Sequence, residues 1–318
     1  MFKQAWQSIM ISLARSSAIK KVMQGERSTS LLVKKYVAGS VPADSISCAN
    51  ALLDEHGIRC SHYYLGEYVD TIELVDLNIS NILETARHLV STNLDFHISI
   101  DPTQIGYSIS PELANKNAHI IANEVNELLA NRSGVHCLML DMEDSHIVDA
   151  TINLHNEIMA KNYPVAITLQ AYLKRTENDM RAMIKSGSKV RLVKGAFTSD
   201  ESIAYTSQKE IKKNYYDLVD LMLSKASREL GFYPVIATHD DKVQAHATAK
   251  AAENGWKQGE YEFEMLLGVR SDIAYSLSDK GERVRLYVPF GKDWWPYAVR
   301  RIGENPRNAI LLARSLFN

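Results

Sequence analysis

Residues 135–194 read VHCLMLDMEDSHIVDATINLHNEIMAKNYPVAITLQAYLKRTENDMRAMIKSGSKVRLVK. Three short, mainly apolar runs stand in this stretch: Val135–Asp141, Pro164–Gln170 and Lys189–Lys194. Each is strand-length and closes on a polar or charged residue. Between them, Ile147–Lys161 and Glu177–Lys185 repeat their apolar residues at helical spacing. Strand, helix, strand, helix, strand is the signature of parallel strands joined by crossover helices.

The rhythm continues in both directions. Upstream, strands are predicted over Ile58–Leu65 and Leu94–Asp101, with helices over Asn78–Val90 and Pro111–Ala130. Downstream come a helix Tyr205–Arg228, a strand Pro234–Thr238, a helix Asp241–Asn254, a strand Tyr261–Leu267, a helix Ser271–Ser278 and a strand Val284–Val288. Eight strands alternating with helices predict an α/β fold closed as a (β/α)8 TIM-like barrel. A doubly wound open sheet is the alternative, weakened by the lack of any G-x-G-x-x-G. Residues 1–56 read as an N-terminal helical segment packing on the barrel (Ala5–Met23, Ser28–Tyr36, Ser45–His56), and residues 57–318 as the barrel domain.

The chain has 318 residues, 46% of them hydrophobic, enough for one large core. A formal net charge of -2 gives no reason to expect a nucleic-acid partner. Cys48, Cys60 and Cys137 are scattered without zinc or redox spacing, which fits a reducing, cytoplasmic compartment. No apolar run is long enough to span a bilayer. The first 24 residues carry Lys3, Arg15, Lys20 and Lys21 and no acid. This reads as an ordinary first helix rather than a transit peptide, because the helical pattern runs on toward Tyr36. Its basic amphipathic face is one that could touch the inner membrane peripherally.

A barrel places chemistry at the C-terminal ends of its strands. Those ends hold Asp101 and Gln104; Asp141, Glu143 and Asp144; Gln170; Arg191 and Lys194; Thr238, His239 and Asp240; Glu264; and Tyr287. The strand interiors read as apolar, so charge within the fifth strand stands out. Arg191 there must meet an anion or an acceptor, and a structural ion pair with Asp141 or Glu143 is the bland reading. Beyond the last strand, Asp293 caps a predicted helix Trp294–Glu304 that Pro306 stops. Tyr297, Arg300, Arg301 and Glu304 share one face of it. The two arginines form a natural fork for a carboxylate or phosphate, against the alternative of a solvated Arg–Glu face. Two other chemistries compete: a metal-dependent lyase using Asp141, Glu143, Asp144 and His146, and a Schiff-base enzyme using Lys194.

Several ordered motifs resemble the proline dehydrogenase family: Tyr36-Val-Ala-Gly39, Tyr64-Leu-Gly-Glu67, Leu140-Asp-Met-Glu143, Gln170-Ala-Tyr-Leu-Lys-Arg175, Val190-Arg-Leu-Val-Lys-Gly-Ala196, Ala237-Thr-His239, Tyr261-Glu-Phe-Glu264, and Tyr287 with Pro289-Phe-Gly291 and Tyr297-Ala-Val-Arg-Arg-Ile-Gly-Glu-Asn305. The resemblance covers nearly the whole chain and is similar to the small monofunctional bacterial members. It implies a distorted barrel, FAD as cofactor, oxidation of L-proline to Δ1-pyrroline-5-carboxylate in proline catabolism, and a membrane quinone as electron acceptor. By resemblance, Arg300 and Arg301 hold the substrate carboxylate, Tyr287 and Tyr297 wall its ring, and Leu266 packs against it. Asp141 lies beneath the flavin and orients the basic cluster, and Arg191 sits at the flavin N5 edge. Gln170 bonds the isoalloxazine. Lys194, Gly195, Ala196, Thr238 and His239 hold the ribityl, phosphate and adenine parts, and Glu304 contacts the adenosine end or braces the arginines.

One departure from the family pattern falls at Asp101, where a Lys that receives the substrate carboxylate is usual. Asp101 is expected to share a proton with Asp141, to pair with Arg191 or another base, or to mark another substrate such as a different cyclic or N-substituted amine. A non-catalytic flavin-binding paralogue is the remaining alternative. Phe197, Glu264 and Asp240 are milder departures, where Tyr, Gln and Asn are common.

Overall fold

The computed structural model describes residues 35–294 and Tyr297, apart from Asn131 and Thr198. The predicted helix Ala5–Met23 therefore lies outside the described residues, as do Trp294–Glu304 except for Trp294 and Tyr297, nearly all of Ser28–Tyr36 and the site candidates Arg300, Arg301 and Glu304.

The elements follow in the order α1 (Pro42–His56), β1 (Arg59–Tyr64), α2 (Ile72–Val90), β2 (His97–Ile100), α3 (Pro111–Leu129), β3 (Cys137–Leu140) and α4 (Val148–Met159). Then come β4 (Val165–Gln170), α5 (Thr176–Lys185), β5 (Lys189–Val193), α6 (Gln208–Met222), α7 (Lys225–Glu229), β6 (Tyr233–Ala237), α8 (Asp241–Glu253), β7 (Glu262–Leu266), α9 (Ser271–Asp279) and β8 (Val284–Phe290). The strands pair in sequence order, β8 pairs back on β1 in parallel, and the sheet closes into an eight-stranded barrel. Closure rules out the open sheet.

Local chemistry accounts for the boundaries. Helix α2 begins six residues before the expected Asn78, because the Thr71 side chain accepts from the Leu74 amide and caps it. Its exposed Ile72, Leu74 and Leu77 hid the helical stripe from the sequence pattern. Asn78 instead sits mid-helix and buried, donating to the carbonyls of Gly66 and Gln104 and so tying the loops after β1 and β2 together. The predicted helix Tyr205–Arg228 is two helices. Ser224 caps the second, and the Leu223 carbonyl at the break is taken by Trp256 and Asn254. At the other end of α1, Gly57 at φ +65° makes the left-handed turn that feeds β1.

Strand parity divides the interior. Ile98, Ile100, Leu138, Leu140, Ile167, Leu169, Val190, Leu192, Ile236, Phe263, Met265, Leu286 and Val288 join the helices in one continuous core. The opposite face lines the lumen, and here the expectation of apolar strand interiors is wrong. Beside the apolar Cys137, Met139, Ala166 and Val235, the lumen holds Ser61, His97, Ser99, Arg191, Glu262, Glu264 and Arg285, all buried. Burying these groups is tolerable only because they satisfy one another. At the end where the strands begin, Arg285 forks Glu262 at 2.7 and 3.1 Å, reaches Asp95 at 2.8 Å and donates to the Cys60 carbonyl. Arg283 bonds the same two acids at 2.6 and 3.0 Å.

Candidate active site at the barrel mouth

Arg191 leaves β5 and crosses the lumen. Its guanidinium forks Glu264 of β7 at 2.8 and 2.6 Å, and its remaining nitrogen bonds Asp141 just past β3. Ser99 and Ser61 accept from it at 3.1 and 3.3 Å. Burial works against this charge, but Glu264 and Asp141 outweigh burial and hold the guanidinium protonated. Glu143, the other expected partner, is not one: it accepts from the Thr103 amide and hydroxyl at 2.9 and 2.6 Å.

Asp141 is the junction of the site. Besides Arg191 it accepts from Thr168 of β4 at 3.1 Å and from Tyr287 of β8 at 2.8 Å. Burial pushes its carboxyl up, and Arg191, Tyr287 and Thr168 pull against that push. The Arg191 guanidinium carbon lies 5.3 Å from the centre of the Tyr287 ring. The Tyr287 ring in turn lies 5.1 Å from that of Tyr63 on β1, and Tyr63 donates its hydroxyl to Asp101. Two tyrosine–carboxylate pairs thus stand side by side, Tyr63 with Asp101 and Tyr287 with Asp141. Pairing of Asp101 with Arg191 is not what the structure holds. Burial raises the Asp101 carboxyl well above its usual range, and Glu143, Glu67 and Asp141 add to that.

The remaining candidates lie around this centre. Gln170 ends β4, donates to the Met142 carbonyl at 3.2 Å, and keeps a buried Oε1 with no hydrogen-bond partner among the described residues. Gly195 turns at φ +93°, where a side chain would strike the Tyr172 ring, so the backbone after β5 can run close against it. Lys194 and Ala196 beside it are exposed, and Lys194 bonds Gln208. After β6, the Thr238 hydroxyl accepts from the Asp240 amide, while His239 accepts from the Leu266 amide at 2.9 Å and so orders the end of β7. Tyr297 is buried.

The proposed metal quartet does not converge. Asp141 and Glu143 are turned to the partners above, and Asp144 meets His146 at 3.1 Å on an exposed turn. Among the described residues His97, Glu262 and Glu264 come closer to a ligand cluster, but arginines already occupy both carboxylates. Sequence reading missed Tyr63, Thr168, Thr103, Ser61 and Ser99. Parity was the available signal, since Ser61 and Tyr63, Ser99 and Asp101, and Thr168 and Gln170 alternate onto one face.

The family profile described as proline dehydrogenase matches residues 49–314. The chain belongs to the proline dehydrogenase family. It is an oxidoreductase of that family, and the mouth residues above fall within the matched span. Proline dehydrogenase 2 of Bacillus subtilis (strain 168) is 31% identical over 258 residues, covering 80% of this chain and 81% of that protein. The proline dehydrogenase of Deinococcus radiodurans is 28% identical over 327 residues, covering 99% of each. Among solved structures, proline utilization A (PutA) from Bdellovibrio bacteriovorus inactivated by N-propargylglycine matches with a TM-score of 0.74 at 22% identity, over 86% of this chain and 32% of that one. PutA from Corynebacterium freiburgense matches with a TM-score of 0.72 at 22% identity, over 98% of this chain and 34% of that one. The chain spans about a third of those solved proteins, and the likeness is one of fold. No helix among the described residues is long and apolar enough to cross a membrane.

Proposed function

We propose that this chain oxidises L-proline to Δ1-pyrroline-5-carboxylate with FAD, the electrons then passing to a quinone. The observation that carries the reading is the constellation Arg191–Asp141–Tyr287 at the mouth of a barrel belonging to this family. It sets a permanent cation and a phenol over the one place where strand ends converge.

The residues present fit a flavin. Gln170 offers a buried, unsatisfied oxygen to a ring N–H, and the unhindered Gly195 turn lets backbone approach a phosphate. Gln170, Lys194, Gly195, Ala196, Thr238 and His239 would hold the cofactor, with Glu304 at its adenosine end or bracing the arginines. Bound there, FAD would supply the two-electron acceptor for a hydride from the amine-bearing carbon.

The chain's own residues do the rest. Arg191 places fixed positive charge where negative charge develops, and its three-way anchoring means that little reorganisation is needed. Asp141 holds Arg191 and Tyr287 in register. Tyr287 and Tyr297 wall the substrate ring, Leu266 packs on it, and Arg300 and Arg301 fork its carboxylate.

Anaerobic addition of L-proline to the purified yellow protein tests this directly. Bleaching of the flavin absorbance is the expected result. A flavin spectrum that proline leaves unchanged would reject the substrate, and failure to take up FAD on reconstitution would reject the cofactor.

A further inference from the structure

Asp101, Asp141, Glu143 and Glu264 are buried or half-buried carboxyl groups at the mouth, and the last three are committed. Asp141 accepts from Arg191, Thr168 and Tyr287. Glu143 accepts twice from Thr103, and Glu264 is forked by Arg191. Asp101 differs. Its Oδ2 accepts from the Tyr63 hydroxyl, its amide donates to Gln104 at 3.3 Å, and among the described residues neither a cation nor a second donor bonds its Oδ1. It is nonetheless only 7% exposed.

Each donor or cation on a carboxylate lowers its basicity. By that ordering Asp101 is the strongest base of the four. The carboxylates facing it reinforce this, Glu67 from the loop after β1 and Asp141 and Glu143 from the end of β3, while Tyr63 from β1 and Tyr287 from β8 also stand against it. Tyr63 alone opposes, through its hydrogen bond, and Arg191 is spent on Asp141 and Glu264. A secondary amine is a cation near neutral pH, and its carbon cannot give up hydride until the nitrogen pair is free.

We infer that Asp101 is the base that takes the proton from the substrate's ammonium group. The inference rests on the proposed amine oxidation and deepens it. In the step an N–H bond breaks, its electron pair stays on nitrogen, and the proton bonds to Asp101 Oδ1. Ammonium and carboxylate become neutral amine and carboxylic acid, with no electron transferred. Tyr63 holds Oδ2, which leaves Oδ1 without a hydrogen bond among the described residues and able to take the proton. Burial, which raises the carboxyl, narrows the gap between this base and the ammonium acid it must deprotonate. The same excess of carboxylates selects a cationic substrate over a neutral one.

The test uses FAD-loaded wild type, Asp101→Asn and Asp101→Glu. In the Asn variant only amine already neutral in solution reacts. Its kcat/KM for L-proline should fall about 100-fold or more at neutral pH. It should then climb tenfold per pH unit toward the amine's own pKa of about 10, where the wild type has levelled off. Asp101→Glu, which keeps an acceptor, should recover part of the rate and the levelling. Cyclopentanecarboxylate, with the same ring and carboxylate but no nitrogen, should bind wild type and Asp101→Asn within about threefold by competition, while proline binding weakens at least about tenfold. Equal pH profiles in wild type and Asp101→Asn would overturn the assignment while leaving proline oxidation standing. Equal loss in the Asn and Glu variants, or parallel loss of proline and cyclopentanecarboxylate binding, would also overturn it. A wild type that binds FAD but neither binds nor oxidises proline removes the underlying reading, and the assignment with it.

Discussion

At the end of the barrel where the strands begin, Arg283 and Arg285 meet Asp95 and Glu262 and Arg59 stands 3.8 Å from Asp95, three cations against two carboxylates. At the end where they finish, among the described residues, Arg191 answers Asp141 and Glu264, while Asp101 and Glu143 rely on hydroxyl and amide donors. The titration behaviour follows the difference. Burial pushes Asp95 up, but Arg285 and Arg283 outweigh it and hold the carboxyl below its ordinary range. At the mouth burial prevails, and Asp101, Asp141, Glu143 and Glu264 are all raised. One end is a compensated plug that holds the barrel shut. The other keeps unsatisfied basicity in the half where a barrel does chemistry.

The contrast can be broken first at the plug. Arg285→Met takes from Asp95 and Glu262 the fully buried cation they share and should cost about 3–5 kcal/mol, read from the urea midpoint. A midpoint unchanged from wild type would mean that the plug is not structural.

At the mouth, Arg191→Lys cannot fork Glu264 and reach Asp141 at once. We expect kcat/KM on proline to fall at least about 100-fold, roughly 2.7 kcal/mol, with the urea midpoint moving less than in Arg285→Met. Wild-type turnover in the lysine variant would reduce Arg191 to a point charge.

Stability against pH sharpens the comparison next. Glu143 is raised by burial from an ordinary 4.5 to about 7. The folded state therefore binds its proton more tightly than the unfolded chain. Its favourable contribution is full below about pH 4.5 and disappears as pH rises through about 7. Glu143→Gln should remove that decline, on the order of 2–3 kcal/mol between pH 4.5 and 8, in denaturant series at each pH. Asp95 has the opposite sign: its contribution is present above the ordinary aspartate range and is lost as pH falls below it.

A smaller effect is expected at Arg300, which lies outside the described residues. Arg300→Met should raise KM for proline by about tenfold, near 1.4 kcal/mol, through loss of one charged hydrogen bond. Smallest of all is Arg181→Ala, which breaks an exposed pair with Glu177 at 2.8 Å and should shift stability by less than about 0.5 kcal/mol. A larger shift there would show that charge pairing matters wherever it occurs, and the two ends would lose their contrast.

Much of this is legible in the sequence. The strand–helix alternation named the barrel, and the polar residues closing each strand marked Asp101, Asp141, Gln170 and Arg191 as mouth residues. The buried polar lumen was not legible. Residues such as Ser61, Ser99 and Glu262 look like ordinary alternation until the sheet closes and turns one parity inward. The start of α2 was hidden by exposed apolar residues, and the division of α6 from α7 by a break that a Trp256 contact stabilises from far along the chain.

By itself, then, the sequence determined the order of elements, the ends at which function sits and the family to which the motifs point, because these depend on local period and local composition. Tertiary structure alone decided who partners whom. Arg191 lies 50 residues from Asp141 and 73 from Glu264, and Tyr63 lies 38 from Asp101. Spacing along the chain carries no information about such distances. Closure of the barrel brings these groups within bonding range, and burial there turns ordinary acids into bases.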